Sequence, residues 1–148
     1  MTRRALRREQ GAAAVEFALA GSIAIVLLLA ITGLAHWLYT LEILAEATRA
    51  GARMAVVCDL NDSSIKAALQ AKVPNLQLQA AQVQLSYLPA GCTINTCQVV
   101  RVSISGATYT PWFPAGAASY PIPPFTTSLP RESMESVNAA GEINPVCS

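Results

Sequence analysis

The sequence is short of charge, of aromatic rings and of histidine. Of its 148 residues 13% are charged, 6% are aromatic, and one, His36, is a histidine. A single histidine beside an apolar run leaves no means of building a Ser–His or Cys–His catalytic pair in the remainder of the chain. The cysteines, Cys58, Cys92, Cys97 and Cys147, include no C-x-x-C pair, so a zinc site is not expected. No glycine-rich phosphate loop is present. Asp59, Asp62, Glu132, Glu135 and Glu142 are scattered and read as caps or solvated groups. Ser63-Ser64-Ile65-Lys66 has the S-x-x-K spacing of some serine hydrolases, but a serine at a helix start is expected to cap the helix. Residues 12–148 carry six basic and eight acidic residues, which gives no basic patch for nucleic acid. The chain is read as non-enzymatic, with no cofactor.

What the sequence does have is apolar surface, 53% hydrophobic residues, and a run from Phe17 to Ala35 of nineteen residues without a charge. Some 20 apolar residues cross the hydrocarbon core of a bilayer, so one transmembrane helix is expected over about 12–39. Trp37 and Tyr39 fall at its far end, where amphipathic rings favour the interface. Arg3, Arg4, Arg7 and Arg8 precede it and Glu42 and Glu46 follow, which keeps the N terminus cytoplasmic and exports the rest. One residue breaks the logic: Glu16 is a carboxylate just inside the run. A charge in hydrocarbon costs at least about 2.5–3.5 kcal/mol, so Glu16 calls for a partner or for snorkelling toward the headgroups.

Past the span the helical pattern persists. Leu41, Leu44, Ala45, Thr48, Ala52 and Ala55 recur at steps of three and four, opposite Glu42, Glu46, Arg49 and Arg53. A helix over 12–57 follows, with Gly33 and Gly51 as its weak points. Beyond Cys58, Asp59-Leu60-Asn61-Asp62 is turn and cap chemistry. Ser63 to Val73 reads as a short amphipathic helix with Ile65, Ala68, Leu69 and Val73 inward, ended by Pro74. Gln82 to Tyr87 alternates strictly, as do Val100, Val102 and Ile104 with Arg101, Ser103 and Ser105, which predicts two half-buried strands. Phe125 to about Met134 reads as a third strand, interrupted or bent at Pro130. The prolines of PWFP and YPIPPF confine those stretches to loops or edges. Trp112, Phe113 and Phe125 there form either an adhesive patch or part of the core. The expected fold is α+β: a long, partly transmembrane N-terminal helix, and a small head (58–148) with a short helix and an antiparallel sheet of about three strands.

Four exported cysteines suggest two disulfides, for which three connectivities exist. Cys92 and Cys97 are five apart in the loop between two predicted strands, so a hairpin brings them together. That leaves Cys58 with Cys147.

At the cytoplasmic edge, the basic leader 1–11 ends in Gly11, and counting from Ala12 puts Glu16 fifth and Phe17 sixth. A secretory signal peptide has its cleavage site after the apolar core; here the candidate site precedes it, so the helix would stay on the mature chain. This is the processing pattern of type IV prepilins. The run QGAAAVEFALAGSIAIVLLLAI with the later EATRAGARMAVV resembles TadE-like proteins, minor pilins or pseudopilins of the tight-adherence (Tad, type IVc) pilus system, over about residues 8–57. The resemblance implies cleavage between Gly11 and Ala12 by a prepilin peptidase, with Glu16 and Phe17 acting in assembly. It also implies an inner-membrane protein with a periplasmic head, able to pass on into the extracellular pilus, whose partners are other pilin subunits met through the N-terminal helix. The alternative is an uncleaved membrane anchor with an extracytoplasmic binding or scaffold head.

Overall fold

A computed structural model describes residues 2–76, 78–111 and 118–147 of the chain. Helix α1 runs without interruption from Thr2 to Ala55, 54 residues, or about 80 Å at ~1.5 Å per residue. The sequence reading starts the helix at Ala12; the structure carries it back through the leader. Ala, Leu, Arg and Glu are strong helix formers, and one glycine, Gly11, costs about 1 kcal/mol, too little to stop a helix. Helix α2 (Ser63–Lys72), strand β1 (Val83–Leu88), β2 (Val99–Ile104), β3 (Thr108–Tyr109), β4 (Tyr120–Pro121) and β5 (Phe125–Pro130) follow. The strands form an antiparallel sheet in the order β1-β2-β5 and a separate β3–β4 pair. The fold is α+β.

Periodicity decides which side of the sheet is covered. Val100, Val102 and Ile104 of β2 are buried, and their partners are Tyr87, Leu85 and Val83 on one side and Leu129, Thr127 and Phe125 on the other. This face packs on the upper part of α1, where Leu44, Ala47, Ala52 and Ala55 are wholly buried. Phe125 belongs to that core; Trp112 and Phe113 lie outside the described residues. α2 packs on α1 as well, with Ile65 and Leu69 inward. Gly51 makes the crossing possible: a Cβ there would lie 2.8 Å from three carbons of Leu69. This glycine is a contact rather than a weak point.

Several boundaries differ from the sequence reading. β1 starts at Val83 because Gln82 closes a 3-10 turn, Ala80–Gln82, and donates to the Gly106 carbonyl. β5 stops at Pro130, a residue without an N–H for further pairing. Met134, expected near the end of that strand, is instead fully buried at φ 50°, a left-handed conformation held by its surroundings. The cap of α2 is Asp62, whose Oδ1 accepts from the Ser64 N–H at 3.0 Å; Ser63 is the first helical residue. Tyr120-Pro121, within YPIPPF, pairs with β3.

α1 ends at Ala55, not at residue 57, since the Val57 and Cys58 N–H groups both turn back to the Met54 carbonyl. The chain leaving a helix end needs partners for its carbonyls, and just past α1 the C-terminal segment supplies them. Glu132 and Met134 N–H donate to the Val56 carbonyl and Glu135 N–H to that of Val57. Ser136 then accepts from the Asp59 N–H at 2.9 Å and donates to Asp62 Oδ2 at 2.7 Å. Cys58 is bonded to Cys147, and Cys92 to Cys97. Residues 132–147 are therefore strapped across the top of the helix.

Two outcomes are expected of this junction. The Cys58–Cys147 bridge spans 89 positions and Cys92–Cys97 spans 5; chain entropy values such loops at about 4–5 and about 2 kcal/mol. Cys147→Ser should therefore lower the thermal midpoint of the head further than Cys92→Ser, and open the tail to protease. Equal losses would show that loop closure does not set the stability. The second outcome concerns pH. The Ser136 hydroxyl, with the Ser64 backbone N–H, holds the Asp62 carboxyl below its ordinary 3.8. A depressed folded value means that the stabilisation is complete above the unfolded value and is lost as pH falls through the lower folded one. Asp62→Ala should cost about 1 kcal/mol at neutral pH. It should also flatten the fall in stability below about pH 4, read from unfolding midpoints across an acid series; an unchanged acid profile would contradict the assignment.

Candidate functional site: the bare helix and its head contact

Below the head, the described side chains of α1 are largely bare. Every residue from Gly11 to Ala20 is exposed, and the most apolar stretch of the helix has no buried residue. Phe17 is 80% exposed, and Leu19, Ile23, Val26, Leu28 and Ile31 are similarly bare. By length and composition Gly11–Ala55 holds a segment able to cross a membrane. A bare surface of this kind is far larger than a soluble monomer tolerates. Its polar hydroxyls are turned inward: Ser22 Oγ donates to the Leu19 carbonyl and Thr32 Oγ1 to that of Leu28, so they add no need for water.

Glu16 stands in this bare segment, exposed, and among the described residues it has no hydrogen-bond or ion-pair partner. Ala12 lies one turn before it and Ala20 one turn after, on the same helix face. Gly11 is helical and open: a Cβ there would meet nothing within 4 Å. Gly11, Ala12, Glu16 and Phe17 are thus all presented on the outside of one rod, free to meet another molecule. Higher up, the ion pair Glu46–Arg49 spans 3.7 Å with both side chains half-exposed, and contributes little.

The upper end of the bare segment is marked by an interaction that the sequence does not signal. His36 Nδ1 and the Tyr109 hydroxyl are 2.8 Å apart, and the Trp37 ring meets Tyr109 edge-on at 4.9 Å. Trp37, read from the sequence as an interface anchor, thus also touches the head, while Tyr39 remains exposed. His36 and Tyr109 are separated by 73 positions, and nothing in the local pattern of either announces the pair. No group of three or more His, Cys, Asp or Glu able to hold a metal occurs among the described residues.

These features define a class: an α+β head carried on a single apolar helix that is largely bare from Gly11 to Ala35. Residues 11–53 match the model of a family described as TadE-like protein. The match begins at Gly11, takes in the whole bare segment with Glu16, and ends inside the packed turns of α1, before the junction and the head. That family is one of pilus-associated structural proteins. No curated protein and no solved structure matches the chain.

Proposed function

We propose that this protein is a minor pilin or pseudopilin of a Tad-type pilus, with a structural part in assembly, priming or adhesion. The observation that carries the reading is the exposed Glu16 on a bare apolar helix, without a partner among the described residues and inside the segment that matches TadE-like proteins. In this reading a prepilin peptidase cuts between Gly11 and Ala12 and leaves a new ammonium on Ala12. The arginines Arg3, Arg4, Arg7 and Arg8 hold the leader in the cytoplasm and the head lies outside the inner membrane. Neighbouring pilin subunits then pack helix to helix. Ala12, Ala13, Ala14, Ala18, Ala20, Gly21 and Ser22 keep the lower helix thin, which lets backbones approach. One subunit's Ala12 ammonium meets the next subunit's Glu16. Such a desolvated pair adds little net stability, but it penalises every stagger that leaves one charge alone.

Processing is tested by the intact mass of the protein extracted from native membranes. Loss of residues 1–11 is expected, and Gly11→Lys should abolish it; a native chain that keeps Met1 would instead make it an uncleaved anchor with a binding or scaffold head. Assembly is tested at Glu16. Glu16→Ala removes a charge from the span, so membrane insertion should be unchanged or better, while co-purification with other pilus subunits should fall. Normal piliation by the variant would leave Glu16 as a snorkelling group only.

A further inference from the structure

The head has two unlike ends. Its far end, around the Cys58–Cys147 bridge, gathers Asp59, Asp62, Glu132 and Glu135, tied there through Val56, Val57 and Ser136. Its near end faces the bare part of α1: Tyr109 reaches His36 and Trp37, while Val73, Pro74 and Leu76 line a cleft with Tyr39, Thr40 and Ile43. From Val73 to Pro130 the chain carries a single charged residue, Arg101. It lies on the outer face of the sheet, where its Nε donates to Ser128 Oγ. The residues that line the near end are uncharged, with Glu42 and Lys72 next to them in sequence.

Within that end, Tyr120 and Pro121 of β4 stand beside Trp37, Tyr109 and Pro111 around an apolar hollow of about 410 Å³. Tyr120 is 54% exposed although it sits in the least charged part of the head. A ring with an apolar body and a polar hydroxyl is suited to a membrane–water boundary. The hollow is level with His36 and Trp37, where the apolar run ends, so its height is fixed by the span itself.

Resting on the reading of α1 as a membrane span, we propose that the β3–β4 pair is a second membrane-binding element, which seats Tyr120 and Pro121 in the headgroup region of the leaflet on the head side. The occupant of the hollow is the lipid surface. This seat is continuous with the lipid-facing surface of α1, carries no charge to desolvate, and is tied to the helix by the His36–Tyr109 hydrogen bond and the Trp37 ring. It holds the head at one tilt and one height above the bilayer.

The test uses the full chain in phosphatidylcholine–phosphatidylglycerol vesicles, with its disulfides intact. An environment-sensitive fluorophore is placed singly at Tyr120→Cys, at Glu132→Cys on the far end, and at Leu27→Cys within the span. Lipids carrying a nitroxide near the headgroup or along the acyl chain are the quenchers. Expected is quenching of most of the emission at 27 by acyl-chain nitroxides and at 120 by shallow ones, with none at 132. Quenching at 27 but not at 120 overturns the proposal and leaves the span intact. Quenching at both 120 and 132 also overturns it, since the head then lies on the membrane without a preferred end. No quenching at 27 removes the span and the proposal with it.

Discussion

One helix has to satisfy two surroundings, and the remainder of the molecule is arranged around that constraint. From Thr40 upward α1 is the centre of a protein core, with the sheet and α2 both packed on it. Below His36 the same helix has no side chain of the head against it. A helix closes its own backbone hydrogen bonds, so it needs no partner to enter hydrocarbon. Its side chains do need one, since rows of bare Leu, Ile and Val cannot stay in water without associating. Lipid or neighbouring helices must cover them. The head's grip is consequently confined to the turns between His36 and Ala55.

A short grip explains the construction of the junction. The carbonyls of Val56 and Val57, just past the end of α1, are closed by residues 132–135, and the loop that follows is closed by Ser136 and Asp62. Asp62 serves twice, as the cap of α2 and as the acceptor for Ser136, so one carboxylate joins the second helix, the end of the first and the tail. The Cys58–Cys147 bridge then fixes the last residues to the same point. Apart from Asp62 these partners lie late in the sequence, so the top of α1 is finished only once residues up to Cys147 are present.

The parts of this structure legible in the sequence are those governed by local period. The apolar run, the continued three–four spacing through Ala55, the helix before Pro74 and the alternation of Val83–Tyr87 and Val100–Ile104 each depend on residues close together. The hairpin loop brings Cys92 near Cys97 for the same reason. What sequence reading misses is tertiary. Nothing near Tyr109 points to His36, and nothing near Ser136 points to Asp59 and Asp62. The role of Gly51 is hidden as well, because a glycine in a helix reads as a weakness until Leu69 is found against it. The β3–β4 pair is too short to leave a pattern. At the lower end, the exposure of Gly11, Ala12, Glu16 and Phe17 is likewise visible in the structure and not in the local pattern.

The two ends of α1 are mechanically joined, and this links the proposed assembly to the proposed seat on the membrane. Glu16 and Thr40 are 24 residues apart on an unbroken helix, about 36 Å at ~1.5 Å per residue. No proline interrupts that rod, and Gly21 and Gly33 are single glycines that lower helix stability by about 1 kcal/mol each without breaking it. A pairing that sets the stagger of two subunits at Glu16 therefore sets the relative height of their heads too. In the bilayer that height is also set by the seat of Tyr120 at the leaflet surface. The two agree only while the subunit remains membrane-bound. In the proposed assembly, movement into a filament would lift the head off the lipid. Packing between neighbouring apolar helices then has to replace both the headgroup seat of Tyr120 and Pro121 and the acyl chains around α1. The β3–β4 pair would act as a retaining element: it favours the membrane pool until enough neighbouring helix surface is at hand to take the lipid's place.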